Sequence, residues 1–92
     1  GHLLIASNTG SQLPAYAYGS THVIWVIGAQ KIVKNTDEGI KRIYEYVWPL
    51  EAERARKAYG ASGSNASKLL IVNKEVKQGR ITLIFVNEVL GF

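Results

Sequence analysis

An α/β fold is what the sequence predicts, and three observations carry the prediction. His22-Val23-Ile24-Trp25-Val26-Ile27 is an apolar run rich in β-branched and aromatic residues, bounded by Gly19-Ser20 and Gly28. Such a run reads as a strand covered on both faces, since a one-sided strand alternates apolar with polar. A second strand-like run, Leu3-Leu4-Ile5-Ala6, precedes it, and an amphipathic helical stretch follows it. Strands interleaved with helices are the pattern of helix layers on a sheet. Trp25 is then expected in the core. Gln30 and Lys31 fall just past the strand's carboxyl end, where open α/β sheets bind ligands.

In chain order, the first strand runs into Ser7-Asn8-Thr9-Gly10-Ser11-Gln12, a loop of small and polar residues in which Gly10 permits φ > 0. Pro14 suits the first turn of a short helix through Ala15-Tyr16-Ala17-Tyr18, stopped by Gly19. Strand, short helix and strand make a cramped βαβ unit, for which parallel pairing and a right-handed crossover are expected.

After Val33 comes the clearest helix start. Asn35 or Thr36 can cap it, Asn35 and Glu38 have capping-box spacing, and Asp37 and Glu38 favour the positive helix end. Ile40, Ile43, Tyr44, Val47 and Trp48 recur at helical spacing, with Lys41, Arg42 and Glu45 on the other face, so one stripe is expected to be buried. Gly39 costs that helix about 1 kcal/mol relative to Ala, and close packing on the sheet is the one reason for it. The chain is expected to bend at Trp48-Pro49. A second helix on the rim then runs through Glu51–Ala58 to Tyr59-Gly60. The low-complexity segment ASGSNAS (61–67) reads as a loop. Leu69-Leu70-Ile71-Val72 and Ile81-Thr82-Leu83-Ile84-Phe85-Val86 read as strands. The polar segment Asn73–Arg80 between them is too short for a crossover helix, which predicts an antiparallel hairpin.

Ninety-two residues are one domain at most. Surface scaling gives about 5,300 Å² folded against about 14,600 Å² extended, enough burial for a core but with little room for an internal cavity. The absence of cysteine excludes disulfides, thiolate metal ligands and a Cys nucleophile together. No apolar run is long enough to span a bilayer, so no membrane role and a cytoplasmic location are expected. The net charge of +4 is dispersed over 11 basic and 7 acidic residues. It reads as a solvated basic surface, and a nucleic-acid-binding module is the weakest of the functional readings. Gly1-His2 leads directly into an apolar strand, which reads as a fragment of a larger domain.

The succession TGSQLPAY, VIWVIGAQKIV, DEGIKRIYEYVWPLEAERA and ITLIFVNEVLGF resembles the C-terminal half of the LUD (lactate utilisation) domain family. The matching elements are Thr9-Gly10-Ser11 after a strand, Gly28-Ala29-Gln30-Lys31-Ile32-Val33 before a helix, Pro49, and Glu88-Val89-Leu90-Gly91-Phe92 at the end. The resemblance implies a Rossmann-like three-layer α/β/α fold of the isomerase, deaminase and CoA-transferase superfamily, here with a mixed sheet and the C-terminal hairpin. It also implies a role in oxidising lactate to pyruvate alongside iron–sulfur and flavin-type subunits. Many relatives carry cysteines where this chain has ASGSNASK, so a cluster-related role of those cysteines is absent. The family domain is roughly twice this length. The 92 residues are therefore read as one domain unit, the C-terminal part, with association to the missing N-terminal half or to a second copy expected.

For a site, Asn8, Thr9, Gly10, Ser11 and Gln12 come first, since a small-residue turn opening a helix presents backbone N–H groups to a small anion. An ordinary strand–helix turn, with Thr9 or Ser11 as a simple cap, is the competing reading. Gln30 and Lys31 form the second candidate, with Lys31 available to a carboxylate or phosphate. Ser62, Ser64, Asn65 and Lys68 have the composition of a loop that closes over a ligand. Glu88 corresponds to a catalytic carboxylate only by fold analogy. His2 and His22 have no partners at metal-ligand or triad spacing. No cofactor and no catalytic residue are assigned, and a non-catalytic structural or interaction domain stands as the alternative function.

Overall fold

The computed structural model describes residues 1–60 and 65–92. Its strands are β1 (Leu3–Ser7), β2 (Val23–Gly28), β3 (Lys68–Val72) and β4 (Ile81–Val86), and its α-helices are α1 (Thr36–Arg42) and α2 (Trp48–Tyr59). Each apolar run has therefore become a strand. How the strands pair is another matter.

Two small sheets form. β1 pairs antiparallel with β3, with Leu3 opposite Val72 and Ser7 opposite Lys68. β2 pairs parallel with β4, from Val23 opposite Ile81 to Gly28 opposite Val86. The fold is thus mixed α/β, and two expectations fail. β1 and β2 are not a parallel pair, and β3 and β4 are not a hairpin. A short connection permits a hairpin without requiring one. Here Asn73–Arg80 carries the chain from one sheet to the other, because Arg80 is tied to the segment that precedes β2. Its guanidinium donates to the carbonyls of Ala15, Tyr16 and Ser20 at 2.8–2.9 Å, and its own carbonyl accepts from the Val23 N–H at 2.8 Å.

β2 is not covered on both faces. Ile24 and Val26 are 58% and 59% exposed, while Val23 is buried and Trp25 and Ile27 are half-buried. Trp25 meets Tyr16 edge to face at 4.9 Å, so its ring is partly sheltered by the turn before β2. The short helix expected there forms, as a single wide π turn over Ala15–Gly19 with Pro14 at its N-cap.

Asn35 caps α1 as its spacing predicts, its Oδ1 accepting from the Glu38 N–H at 2.9 Å. Gly39 is buried, and a Cβ there would stand 2.3 Å from Leu4 Cδ1, which explains the glycine as a point of close helix–strand approach. At Trp48-Pro49, where a bend is expected, the chain stays helical. α1 continues through a π turn, Ile43–Val47, into α2, with helical backbone at Ile43 and Trp48. Proline lacks the N–H for an i→i−4 bond, and its ring crowds the carbonyl four residues back. Widening the preceding turn, with the Trp48 N–H donating to the Ile43 carbonyl, lets the helix pass the proline without a break. The predicted stripe is only partly covered: Ile40, Ile43 and Val47 are half-buried, whereas Tyr44 and Trp48 are 45% and 38% exposed. α2 lies on the rim, as its charges predict, with Ala55 its one buried residue.

The apolar core is small, with Val23 and Ala55 its buried members among the described residues. The accessible surface is 6559 Å², about a quarter more than the ~5,300 Å² expected of a closed domain of this mass.

Candidate functional site

Ser7 is buried at the end of β1 and organises the loop that follows. Its hydroxyl accepts from the Gly10 N–H at 2.8 Å and donates to Gln12 Oε1 at 3.0 Å. Thr9 Oγ1 accepts from the Ser11 N–H at 3.3 Å and donates to Ser11 Oγ at 3.2 Å. Gly10 has φ +82°, and its carbonyl accepts from the Leu13 N–H at 3.1 Å. Two amides that an anion-binding nest would present, Gly10 and Ser11, are therefore satisfied by hydroxyls of the loop itself. The cation beside the loop is Lys68, whose Nζ donates to the Thr9 carbonyl at 2.8 Å and whose chain crosses over Gly10.

Lys31 lies elsewhere, in the 3₁₀ turn Ala29–Lys31 after β2, with its Nζ over Gly91. Gln30 in the same turn donates from Nε2 to the Leu90 carbonyl at 2.9 Å, while its buried Oε1 has no partner among the described residues. A Cβ at Gly28 would stand 2.1 Å from that Oε1 and under 3 Å from the backbone of Glu88 and Leu90, so only glycine fits there. Glu88 is exposed, beside Ala29 and Gln30 in a shallow 380 Å³ depression.

The larger feature is a cleft of about 1310 Å³ between the sheets. Asn8, Gln12 and Lys31 border it, so the structure brings these three predicted residues to one opening. Thr9, Gly10, Ser11 and Gln30 do not line it. Its walls are apolar, from Leu3–Ala6, Trp25–Ile27, Leu83 and Phe85. Its border carries Lys31, Lys34 and Lys74, none of which has an ion-pair partner among the described residues. The border's two carboxylates are occupied: Glu51 by Arg54 at 2.5 Å and Glu75 by Arg80 at 2.9 Å. Arg54 holds the Glu51 carboxyl below the ordinary carboxylate range. The Lys77 backbone N–H and then Arg80 do the same for Glu75. The field at the opening is therefore cationic.

Sequence reasoning did not single out Lys34, Lys74 or Arg80. Lys34 directly follows the apolar Ile32-Val33 and Lys74 stands one residue past Leu69–Val72, placements that put a long cation at the mouth of a cleft. Arg80 sits in a polar segment and gives no such signal. Ser62 and Ser64 lie outside the described residues. Asn65 borders the cleft and Lys68 sits on the Thr9 loop. Among the described residues no three His, Cys, Asp or Glu side chains converge as metal ligands, and no helix is long and apolar enough to cross a membrane.

A family model described as the LUD domain matches residues 1–86. The chain belongs to the LUD domain family. No curated protein and no solved structure matches it. Membership ties this LUD domain to lactate utilisation. The match begins before β1 and reaches the end of β4, so both sheets and all of the cleft's lining except Phe92 lie inside the family region.

Proposed function

We propose that this LUD domain serves lactate utilisation by binding a small anionic ligand, a carboxylate such as lactate or a phosphate, at the border of the inter-sheet cleft. The observation that carries the reading is the charge of that border: three lysines without ion pairs among the described residues, beside two carboxylates that arginines already hold. A carboxylate at such a border gains charge-assisted hydrogen bonds at little desolvation cost. Asn8 and Gln12 add neutral donors at the opening. In this reading the domain binds and positions, and the oxidation of lactate to pyruvate takes place with iron–sulfur and flavin-type subunits. The full domain would then be a three-layer Rossmann-like assembly.

A structural or interaction role is the second reading, favoured by the surface excess and by the exposed Ile24, Val26 and Ile84 on one face of the β2–β4 sheet.

Titration of the ¹⁵N-labelled chain with lactate and with phosphate tests the first reading. Amide shifts at Asn8, Gln12, Lys31, Lys34 and Lys74 are expected, and a Lys31→Ala/Lys34→Ala variant should lose them. Shifts confined to other residues, or none up to high millimolar ligand, would favour the interaction reading.

A further inference from the structure

We infer that Arg42 is a latch: its hold on the Phe92 main-chain oxygen keeps two lobes of the chain together, and its release lets them swing and widens the inter-sheet cleft. The contacts sort the chain into these lobes. In the first, α1 packs on β1, the π turn Ile43–Val47 joins α1 to α2, and Asn8 and Thr9 are tied to Ser67 and Lys68. In the second, Arg80 binds the turn before β2 and Glu75, His22 meets Thr82 at 3.0 Å, and Gln30 holds the Leu90 carbonyl. The two strand pairs share no ladder. Trp48 apart, the hydrogen bonds, ion pairs and ring contacts among the described residues stay within one lobe or the crossing next to it, with one exception. Arg42, the last residue of α1, donates from Nη2 to the main-chain oxygen of Phe92, in the segment that continues β4.

The chain passes between the lobes three times, at Gln12-Leu13, Ile32–Lys34 and Asn73-Lys74. Each crossing is short and lies outside the strands, where a few residues can absorb the backbone rotation of a hinge. The covalent chain therefore permits a swing, and the Arg42 bond opposes it. A guanidinium on a main-chain oxygen makes a charge-assisted bond, stronger than a neutral one. The Tyr46 ring lies 5.0 Å from the same guanidinium and steadies it on the first lobe. Arg42 and Phe92 line the cleft together with Lys31, whose Nζ stands over Gly91. Lys34 and Lys74 stand on two different crossings, so the angle between the lobes also sets the spacing of the lysine border. None of this requires a ligand, and the inference stands apart from the anion reading.

Distances between paired spin labels, read by double electron–electron resonance on the 92-residue chain, test it, since the sequence has no cysteine of its own. Tyr18→Cys with Lys57→Cys spans the lobes, and Tyr18→Cys with Val76→Cys lies within the second; all three positions are exposed. With Arg42 in place the spanning pair should give one narrow distance. Arg42→Ala should broaden it and lengthen it by more than about 2 Å, while the pair within the second lobe keeps its distance. Tyr46→Leu removes the ring beside the guanidinium but leaves the latch, and should change neither distance. A broad spanning distribution with Arg42 in place, or an unchanged one in Arg42→Ala, overturns the proposal. So does an equal shift in Tyr46→Leu, or a lengthening within the second lobe, which would mean general loosening and not a hinge.

Discussion

Arg80 holds the start of β4 against the start of β2: its carbonyl accepts from the Val23 N–H at 2.8 Å while its guanidinium binds the turn just before Val23. The side chain is 4% exposed and meets three backbone carbonyls and the Glu75 carboxylate. One planar group thus fixes the parallel register from Val23 opposite Ile81 onward.

Arg80→Ala should cost about 3–5 kcal/mol, the range for removing one member of a buried ion pair. Arg80→Lys should recover little, because an ammonium cannot reproduce the fork. Urea midpoints measure both. Arg54→Ala, which breaks a solvent-exposed pair with Glu51, should leave the midpoint where it is. Equal midpoints for Arg80→Ala and Arg54→Ala would show that the guanidinium does not organise the β2–β4 sheet.

A second prediction concerns Gly39. In a free helix Gly→Ala gains about 1 kcal/mol. Here the new methyl would stand 2.3 Å from Leu4 Cδ1 and 3.3 Å from Val33 Cγ2. Overpacking typically costs about 1–3 kcal/mol, so steric cost should match or exceed the gain and Gly39→Ala should not stabilise. Leu4→Ala opens the space, and in that background Gly39→Ala should become stabilising. A double-mutant cycle reads the reversal directly. Simple additivity would mean that α1 does not press on β1 at this point.

These two residues also show what the sequence could and could not disclose. The strands, the Asn35 cap and the need for close packing at Gly39 are local properties, written in runs, spacings and a missing Cβ. Pairing is not local. The β3–β4 connection gives the same polar pattern whether its ends join each other or two different sheets. The residue that decides the matter, Arg80, looks like any solvated arginine until its carbonyl partners sixty or more residues away are known. The continuous run of β2 suggested two covered faces, yet it borders an open cleft, so apolar character recorded a need for cover and not its source. Of the site, Asn8, Gln12 and Lys31 were legible as polar residues at strand ends, whereas the consumption of the Gly10 and Ser11 amides by neighbouring hydroxyls depends on rotamers that no spacing fixes.

Acid stability should report on Glu75. The Lys77 backbone N–H, and after it Arg80, hold its folded carboxyl below the ordinary 4.5. A depressed carboxyl contributes stability above its unfolded value and loses it as pH falls through the folded one. Wild type should therefore exceed Glu75→Gln in urea midpoint at pH 7, and the gap should close below about pH 4.5. A gap that is constant from pH 7 to pH 3 would mean that the charge of Glu75 is not what the variant removes.

The last prediction ranks two hydroxyls of the first loop. Ser7 is buried, and its Oγ both accepts from the Gly10 N–H and donates to Gln12. Thr9 is exposed, and its Oγ1 meets only Ser11 among the described residues. Ser7→Ala leaves a part-buried amide without its acceptor, which costs about 1–3 kcal/mol. Thr9→Ala removes groups that water replaces and should stay within about 0.5 kcal/mol. Ser7→Ala should also release the Gly10 turn, since φ near +82° is held there by the Ser7 bond and by the Leu13 N–H on the Gly10 carbonyl. Lys68, whose Nζ rests on the Thr9 carbonyl, should then lose its seat, and its Nζ should become more accessible to acetylation. Thermal melts and lysine-labelling rates check the two halves separately. If Thr9→Ala proves the more damaging, the loop is organised from its exposed side and Ser7 is only a neighbour.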